Sequence, residues 1–247
     1  MNVRDIHDPR RRELLKMAGA AALLCALPFG GRFAWAQSAK PRIGLIGSGN
    51  VGSALGRSWA RAGYEVMFSS RELESDKKLA ADVGSKARAG TPREAAAFGD
   101  VVVFAVPYGA LPELGKTLGS ALKGKVVLDA SNPFPQRDGE IATTAREKGA
   151  GVVSAELLPG ARIVRAFNAI GAASMGKAYE TPGRVGMPIA GDDAKAIQIA
   201  SQLIRDLGYE PVPIGGLAMG RYLMPGTPLA GEHSPDEVKK IAATLKP

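Results

Sequence analysis

"RIGLIGSGNVGSALG" (residues 42–56) is the stretch that decides the fold. A short apolar run leads into Gly47-Ser48-Gly49-Asn50-Val51-Gly52, and a helical pattern follows at once. That context, strand before and helix after, makes a GxGxxG spacing a dinucleotide-binding loop rather than a mere glycine-rich turn. Gly47 permits the tight turn, Gly49 lets a pyrophosphate approach the backbone, and Gly52 lets the helix pack close to the strand. The phosphates then meet free amides at the positive end of a helix.

Working outward, the next apolar run is "YEVMFSSRE" (64–72). An NAD-binding chain places an acidic residue at the end of this strand to accept from the ribose hydroxyl. Counting about 20 residues from the last glycine reaches Glu72. The apolar run stops before Ser69, however, so Glu72 falls in the first turn of the next helix, where it complements the helix dipole. Ser69, Ser70 and Arg71 occupy the strand end instead. A guanidinium there suits a 2′-phosphate through charge-assisted contacts, so the expected cofactor is NADP. Lys77 and Lys78 lie further along and read as solvated.

Beyond residue 72 apolar runs keep alternating with helical patterns, the signature of βαβ units and a parallel sheet. Strands are predicted near 42–47, 64–69, 101–106 and 125–130, with helices over 50–62, 72–83, 92–98, 109–122 and 138–148. "VVVFAVP" and "KVVLDAS" are unbroken apolar runs, as in strands covered on both faces. Further strands at 162–170, 184–192 and 209–215, with a helix over 193–207, would extend the sheet at its far edge. The expected fold class is α/β, a Rossmann-type doubly wound, mostly parallel sheet with a small C-terminal extension. Residues 40–150 form the nucleotide-binding part, and 151–247 complete the sheet and the substrate pocket. Ligands of such sheets sit beyond the carboxyl ends of the strands. Val106, Pro107 and Tyr108, then Ser131, Asn132 and Pro133, then Phe167, Asn168 and Ala169 occupy those ends. Each is an ordinary turn residue by itself. Together, beside a glycine loop, they read as a pocket rim, with Val106, Pro107, Asn132, Pro133 and Asn168 as cofactor contacts.

The first 36 residues read differently. "RRELLKMAGAAALLCALPFGGRFAWAQ" (11–37) has a basic front, an apolar stretch and a small-residue exit at Ala34-Trp35-Ala36, the layout of an export signal rather than a spanning helix. Arg11-Arg12 followed by Glu13-Leu14-Leu15-Lys16 resembles a twin-arginine (Tat) signal. The expected location is the periplasm, after folding and cofactor loading in the cytoplasm. Cleavage after Ala36 leaves 211 of the 247 residues and removes six basic and three acidic groups, taking the formal charge from +8 to +5. That excess is spread along the chain without a basic block, which argues against nucleic-acid binding. Cys25 and His7 leave with the signal, and His233 is the one remaining residue of either type. Disulfides, thiolate metal sites and Cys/His nucleophilic dyads are thereby excluded from the mature chain, and the poverty in His counts against a Ser-His-Asp hydrolase. His233 reads as solvated, and Asp192-Asp193 read as a helix N-cap rather than metal ligands.

In order along the chain, "IGLIGSGNVGSALG", "SSR", "VPYGALP", "VVLDASNPF", "VRAFNAIG", "MPIAGDDAKA" and "LIRDLGYEPVPIGGLAMGRYL" resemble the coenzyme F420-dependent NADP oxidoreductases and their bacterial relatives. The resemblance implies NADP at the glycine loop and at Ser70-Arg71, and hydride transfer between nicotinamide and the deazaflavin F420 or a flavin. The same module is similar to that of transmembrane metalloreductases and, more distantly, to pyrroline-5-carboxylate reductases. The chain departs from the family after "GRYLMPG", where no match to its helical end is evident. Hydride transfer between two ring cofactors requires no side-chain acid or base, so no catalytic residue is expected. Arg221 reads either as a contact to an acidic second cofactor or as a plain salt bridge. The expected partner is a small-molecule acceptor, with a homodimer as one assembly. Two other readings stand beside this one: a non-catalytic NADP-binding, electron-delivering module, and an imine or small-carbonyl reductase with a proton donor near Asn132 or Tyr108.

Overall fold

A single sheet of eight strands runs through residues 40–246, the part of the chain that the computed structural model describes. The export signal read at 1–36 lies outside the described residues. The strands are β1 (Ile43–Ile46), β2 (Val66–Ser69), β3 (Ala87–Ala89), β4 (Val101–Phe104), β5 (Val126–Asp129), β6 (Arg162–Arg165), β7 (Gly186–Gly191) and β8 (Glu210–Gly215). Their spatial order is β3-β2-β1-β4-β5-β6-β7-β8. The first six are parallel, β7 is antiparallel to β6, and β8 is parallel to β7. Every residue of β1, β4 and β5 is buried, because helices cover both faces.

Nine α-helices lie among the described residues: α1 (Asn50–Arg61), α2 (Leu73–Val83), α3 (Pro92–Phe98), α4 (Leu111–Leu122), α5 (Pro135–Asp138), α6 (Glu140–Lys148), α7 (Ala150–Leu157), α8 (Ala194–Arg205) and α9 (Pro235–Ala242). One apolar layer packs Leu55 and Trp59 of α1 with Ala196, Ala200, Leu203 and Ile204 of α8 against one side of the sheet. The other layer packs Ala95 and Ala96 of α3, Leu111, Leu118 and Leu122 of α4, and Val153 of α7 against the opposite side. This is the doubly wound α/β arrangement expected from the sequence. The chain order reverses at β1, which has β2 on one side and β4 on the other, so a crevice opens beyond its carboxyl end.

The main departures from the sequence reading are local. β3 is three residues long and not fully buried, so it carries no apolar run, and its pairing with β2 is what makes it a strand. The segment Ala150–Leu157 had been given no helix, yet it is α7. The stretch after residue 230, for which the sequence predicts no element, contains α9. Its start carries a full capping box, in which Ser234 accepts from Glu237 N–H while the Glu237 carboxylate accepts from Ser234 N–H. The strand expected over 162–170 stops at Arg165, because Phe167 adopts a positive φ of 66° that turns the chain. Phe167 is held there by edge contacts to Trp59 and Tyr209, with ring centroids 5.9 and 6.0 Å away. Asp193 caps α8 as expected, accepting from Ala196 N–H at 2.8 Å. Its bidentate pairing with Arg162 is the main reason its carboxyl titrates well below the usual range.

Candidate nucleotide-binding site

The glycine loop leaves the carboxyl end of β1 and enters α1. Gly47 has φ 99°, and a side chain on it would collide with the Ala105 carbonyl at the end of β4. Any side chain at Gly52 would overlap the Gly47 carbonyl oxygen, so that glycine sets the tight loop-to-helix packing. Gly49 differs: a Cβ built on it meets nothing within 4 Å. Its requirement for glycine comes from whatever approaches the loop from outside.

That approach faces a bare helix end. Gly49 is the N-cap of α1 yet provides no side-chain cap, and the first turn holds no acidic residue. The first helical hydrogen bond runs from Ser53 N–H to Gly49 O at 2.8 Å, which leaves the amides of Asn50, Val51 and Gly52 ahead of it. The helices α3 and α9 fill the same positions with capping boxes. An uncapped, uncompensated N-terminus beside an open Gly49 fits an anionic pyrophosphate.

At the end of β2 the three expected residues divide. Ser69 does not face the crevice: it is fully buried and its hydroxyl donates to Leu45 O at 2.6 Å, bonding β2 to β1. Ser70 donates to Asp76 at 2.8 Å and accepts from Glu72 N–H at 3.0 Å. Ser48 of the glycine loop donates to the other oxygen of the same carboxylate. Buried Asp76, which the sequence reading missed, therefore ties the glycine loop to the β2 loop. Arg71 is exposed and has no ion-pair partner among the described residues, while Lys77 pairs with Glu74 on the surface. Glu72 is the exposed N-cap of α2.

On the other side of β1, a cavity of about 200 Å³ is lined by Asn50, Val51, Val106, Pro107, Asn132, Phe134 and Arg137, among others. Five residues expected as cofactor contacts, Asn50, Val51, Val106, Pro107 and Asn132, thus meet on one cleft. Phe134 and Arg137 were missed. Phe134 is one of two large apolar side chains exposed on the described surface, and the Arg137 guanidinium lies 5.0 Å from its ring centre.

Pro133 and Asn168 stand behind this cleft, not on it: both are buried, and Asn168 donates to Ser131 O at 3.3 Å. Tyr108 is turned inward, donating to Ala150 O at 2.8 Å, and burial raises its phenol pKa above the ordinary range. Arg221 donates to Lys148 O at 3.1 Å, at the end of α6, and forms no salt bridge among the described residues. Among the described residues no helix is long and apolar enough to cross a membrane, and no group of three His, Cys, Asp or Glu could hold a metal. A larger cavity of about 770 Å³ lies between α7, the end of β8 and α9. Because β8 runs against β1, that cavity is at the opposite end of the sheet from the glycine loop.

Fold and crevice together define a Rossmann-type dinucleotide-binding protein. The family described as NADP oxidoreductase, coenzyme F420-dependent, matches residues 42–133. The F420-dependent NADP reductase of Methanothermobacter thermautotrophicus is 30% identical over 205 residues, covering 76% of this chain and 87% of the reductase. The metalloreductase STEAP3 of Rattus norvegicus is 29% identical over 184 residues, covering 73% of this chain. The chain spans only 35% of that longer protein. The crystal structure of hypothetical protein SMa0349 from Sinorhizobium meliloti superposes with a TM-score of 0.65 at 29% identity, covering 78% of this chain and 95% of its own. The chain belongs to the F420-dependent NADP oxidoreductase family, a family of reductases.

Proposed function

We propose that this protein transfers a hydride between NADP(H) and a planar deazaflavin or flavin-like acceptor. The observation that carries the reading is the pairing of an uncapped α1 N-terminus at open Gly49 with Arg71 at the end of β2, a guanidinium with no ion-pair partner among the described residues. The loop Gly47–Gly52 would hold the pyrophosphate, and Arg71, on the turn that Ser70 pins to Asp76, the 2′-phosphate. Val106, Pro107 and Asn132 would flank the nicotinamide, and exposed Phe134 offers a flat apolar face to a second ring. The nicotinamide supplies the hydride chemistry; the chain supplies binding and alignment. The residues named on the cleft include no acid or base other than Arg137, which suits a transfer that moves no proton through a side chain. For the imine-reductase reading, which needs a proton donor near Asn132 or Tyr108, the Tyr108 hydroxyl points into the core and only the Asn132 side of the cleft remains.

Mixing the purified protein with NADPH and either oxidised F420 or riboflavin tests the reading by the loss of nicotinamide absorbance. Turnover with NADPH well above that with NADH is expected. Tight NADPH binding without reduction of either acceptor would favour the non-catalytic, electron-delivering module instead.

Export joins this proposal through Arg11-Arg12 and the apolar stretch after them. Folding around NADP before twin-arginine transport would deliver a loaded protein to the periplasm. Replacing both arginines by lysine is expected to retain the protein in the cytoplasm, and continued export of that variant contradicts the twin-arginine route.

A further inference from the structure

We propose that Arg165 is a positioning residue that sets Asn132 for the nicotinamide half of the cofactor. The proposal rests on the NADP reading above and extends it to a residue that touches no ligand.

Asp129 ends β5 and Arg165 ends β6, and the two are direct partners in the register of those strands. Both are wholly buried, with Arg165 Nη1 2.7 Å from Asp129 Oδ2. The guanidinium then reaches toward the cleft: Nη1 donates to Ser131 O at 3.1 Å and Nη2 to Asn132 Oδ1 at 3.4 Å. Asp129 accepts from Ser131 N–H at 2.9 Å and from the Ser154 hydroxyl at 2.7 Å. Asn132, its amide oriented by Arg165, donates from Nδ2 to Asn168 O at 2.8 Å. One ion pair thereby fixes two loops, those after β5 and β6, and what reaches the cleft wall is the half-buried Asn132 side chain.

Stability alone does not account for this arrangement. Replacing a buried ion pair by well-packed apolar side chains is often neutral or stabilising. The knot also carries three of the four buried side-chain polar atoms without a partner among the described residues: Ser131 Oγ, Arg165 Nε and Asn168 Oδ1. The fold nevertheless reserves a slot for the arginine stem. A Cβ on Gly151 would lie 3.1 Å from Arg165 Cδ, and one on Gly220 2.7 Å from it. A rigid fork holding a carbonyl and an amide at once is what lysine or an apolar residue cannot reproduce.

The adenosine half would be held on the other side of β1, at Arg71, so the two halves can be read separately. The probes are 2′,5′-ADP, which carries the 2′-phosphate without nicotinamide, and NADPH, whose fluorescence reports the bound ring. Arg165→Lys keeps a charge opposite Asp129 but loses the fork. It is expected to leave the Kd for 2′,5′-ADP within about twofold and to weaken NADPH by about tenfold, with altered fluorescence of the bound nicotinamide. Asn132→Ala, at a partly exposed position, is expected to give the same pattern, and the double variant little more than either alone. Unchanged NADPH affinity and fluorescence in Arg165→Lys overturns the proposal. So do parallel losses for both probes, or strictly additive losses in the double variant. If Arg165→Lys does not fold, Asp129→Leu with Arg165→Met removes both charges together and is read the same way. Failure of the wild-type protein to bind 2′,5′-ADP would instead overturn the NADP reading itself.

Discussion

Gly49→Val is expected to abolish binding of both NADPH and NADH while leaving the protein folded. Gly49 has φ −65° and ψ −162°, an extended conformation that valine adopts without strain, and the space around its Cβ position is open. The thermal midpoint should therefore hold or rise slightly, since a branched residue restricts the unfolded chain. The same open space is where a pyrophosphate must come within hydrogen-bonding distance of the α1 amides, and a branched side chain would fill it. Gly52 offers no such clean test, because any side chain there strikes the Gly47 carbonyl and disturbs the loop itself. Titration by nicotinamide fluorescence, with circular dichroism to verify folding, checks the result. A folded Gly49→Val protein that binds NADPH normally would show that the loop is not the pyrophosphate seat.

Arg71→Ala is expected to weaken NADPH by about ten- to a hundredfold and to leave NADH nearly unchanged. The side chain is exposed and commits no charge to another group among the described residues, so its loss should not disturb the fold. A charge-assisted contact to a phosphate is worth roughly 1.5–3 kcal/mol, which sets that range. Asp76 sharpens the expectation. Its carboxylate already takes the hydroxyl protons of Ser48 and Ser70, so Ser70 is committed inside the loop and the cationic contact falls to Arg71. Isothermal titration with both nucleotides measures the difference. Equal losses for NADPH and NADH would mean that Arg71 serves the loop rather than the 2′-phosphate.

What the sequence disclosed and what it concealed follow from range. The glycine loop is a contiguous pattern whose geometry is local, and β1, β4 and β5 announce themselves because strands buried on both faces must be apolar throughout. β7 and β8 lie at the far edge as expected, although β8, an edge strand, is only partly buried. Helix α7 escaped because Ala150-Gly151-Val152-Val153-Ser154-Ala155 shows no helical periodicity, its small residues answering to neighbours such as Leu217 and Arg165. The Ser234-to-Glu237 capping box of α9 is, by contrast, a local signal that marks a helix start in the sequence.

At the site, strand ends pointed to Val106, Pro107 and Asn132, which line the cleft. No local signal separates these from Ser69 or Tyr108, whose side chains turn inward to meet Leu45 and Ala150. Asp129 and Arg165 illustrate the general difficulty. Each is a charge inside an apolar run, which demands a partner. Only the register of β5 against β6 identifies that partner. Asp76 is similar: it follows Ser48 by 28 positions, and the tie between them exists only once α2 is folded back beside the loop.

The most direct test of the central claim is a competition titration of NADPH against NADH on the unmodified protein, at fixed ionic strength because the contact at Arg71 is exposed. The account predicts that NADPH binds at least about tenfold more tightly, as one charge-assisted phosphate contact requires. Equal affinity for the two, or tighter binding of NADH, would contradict it.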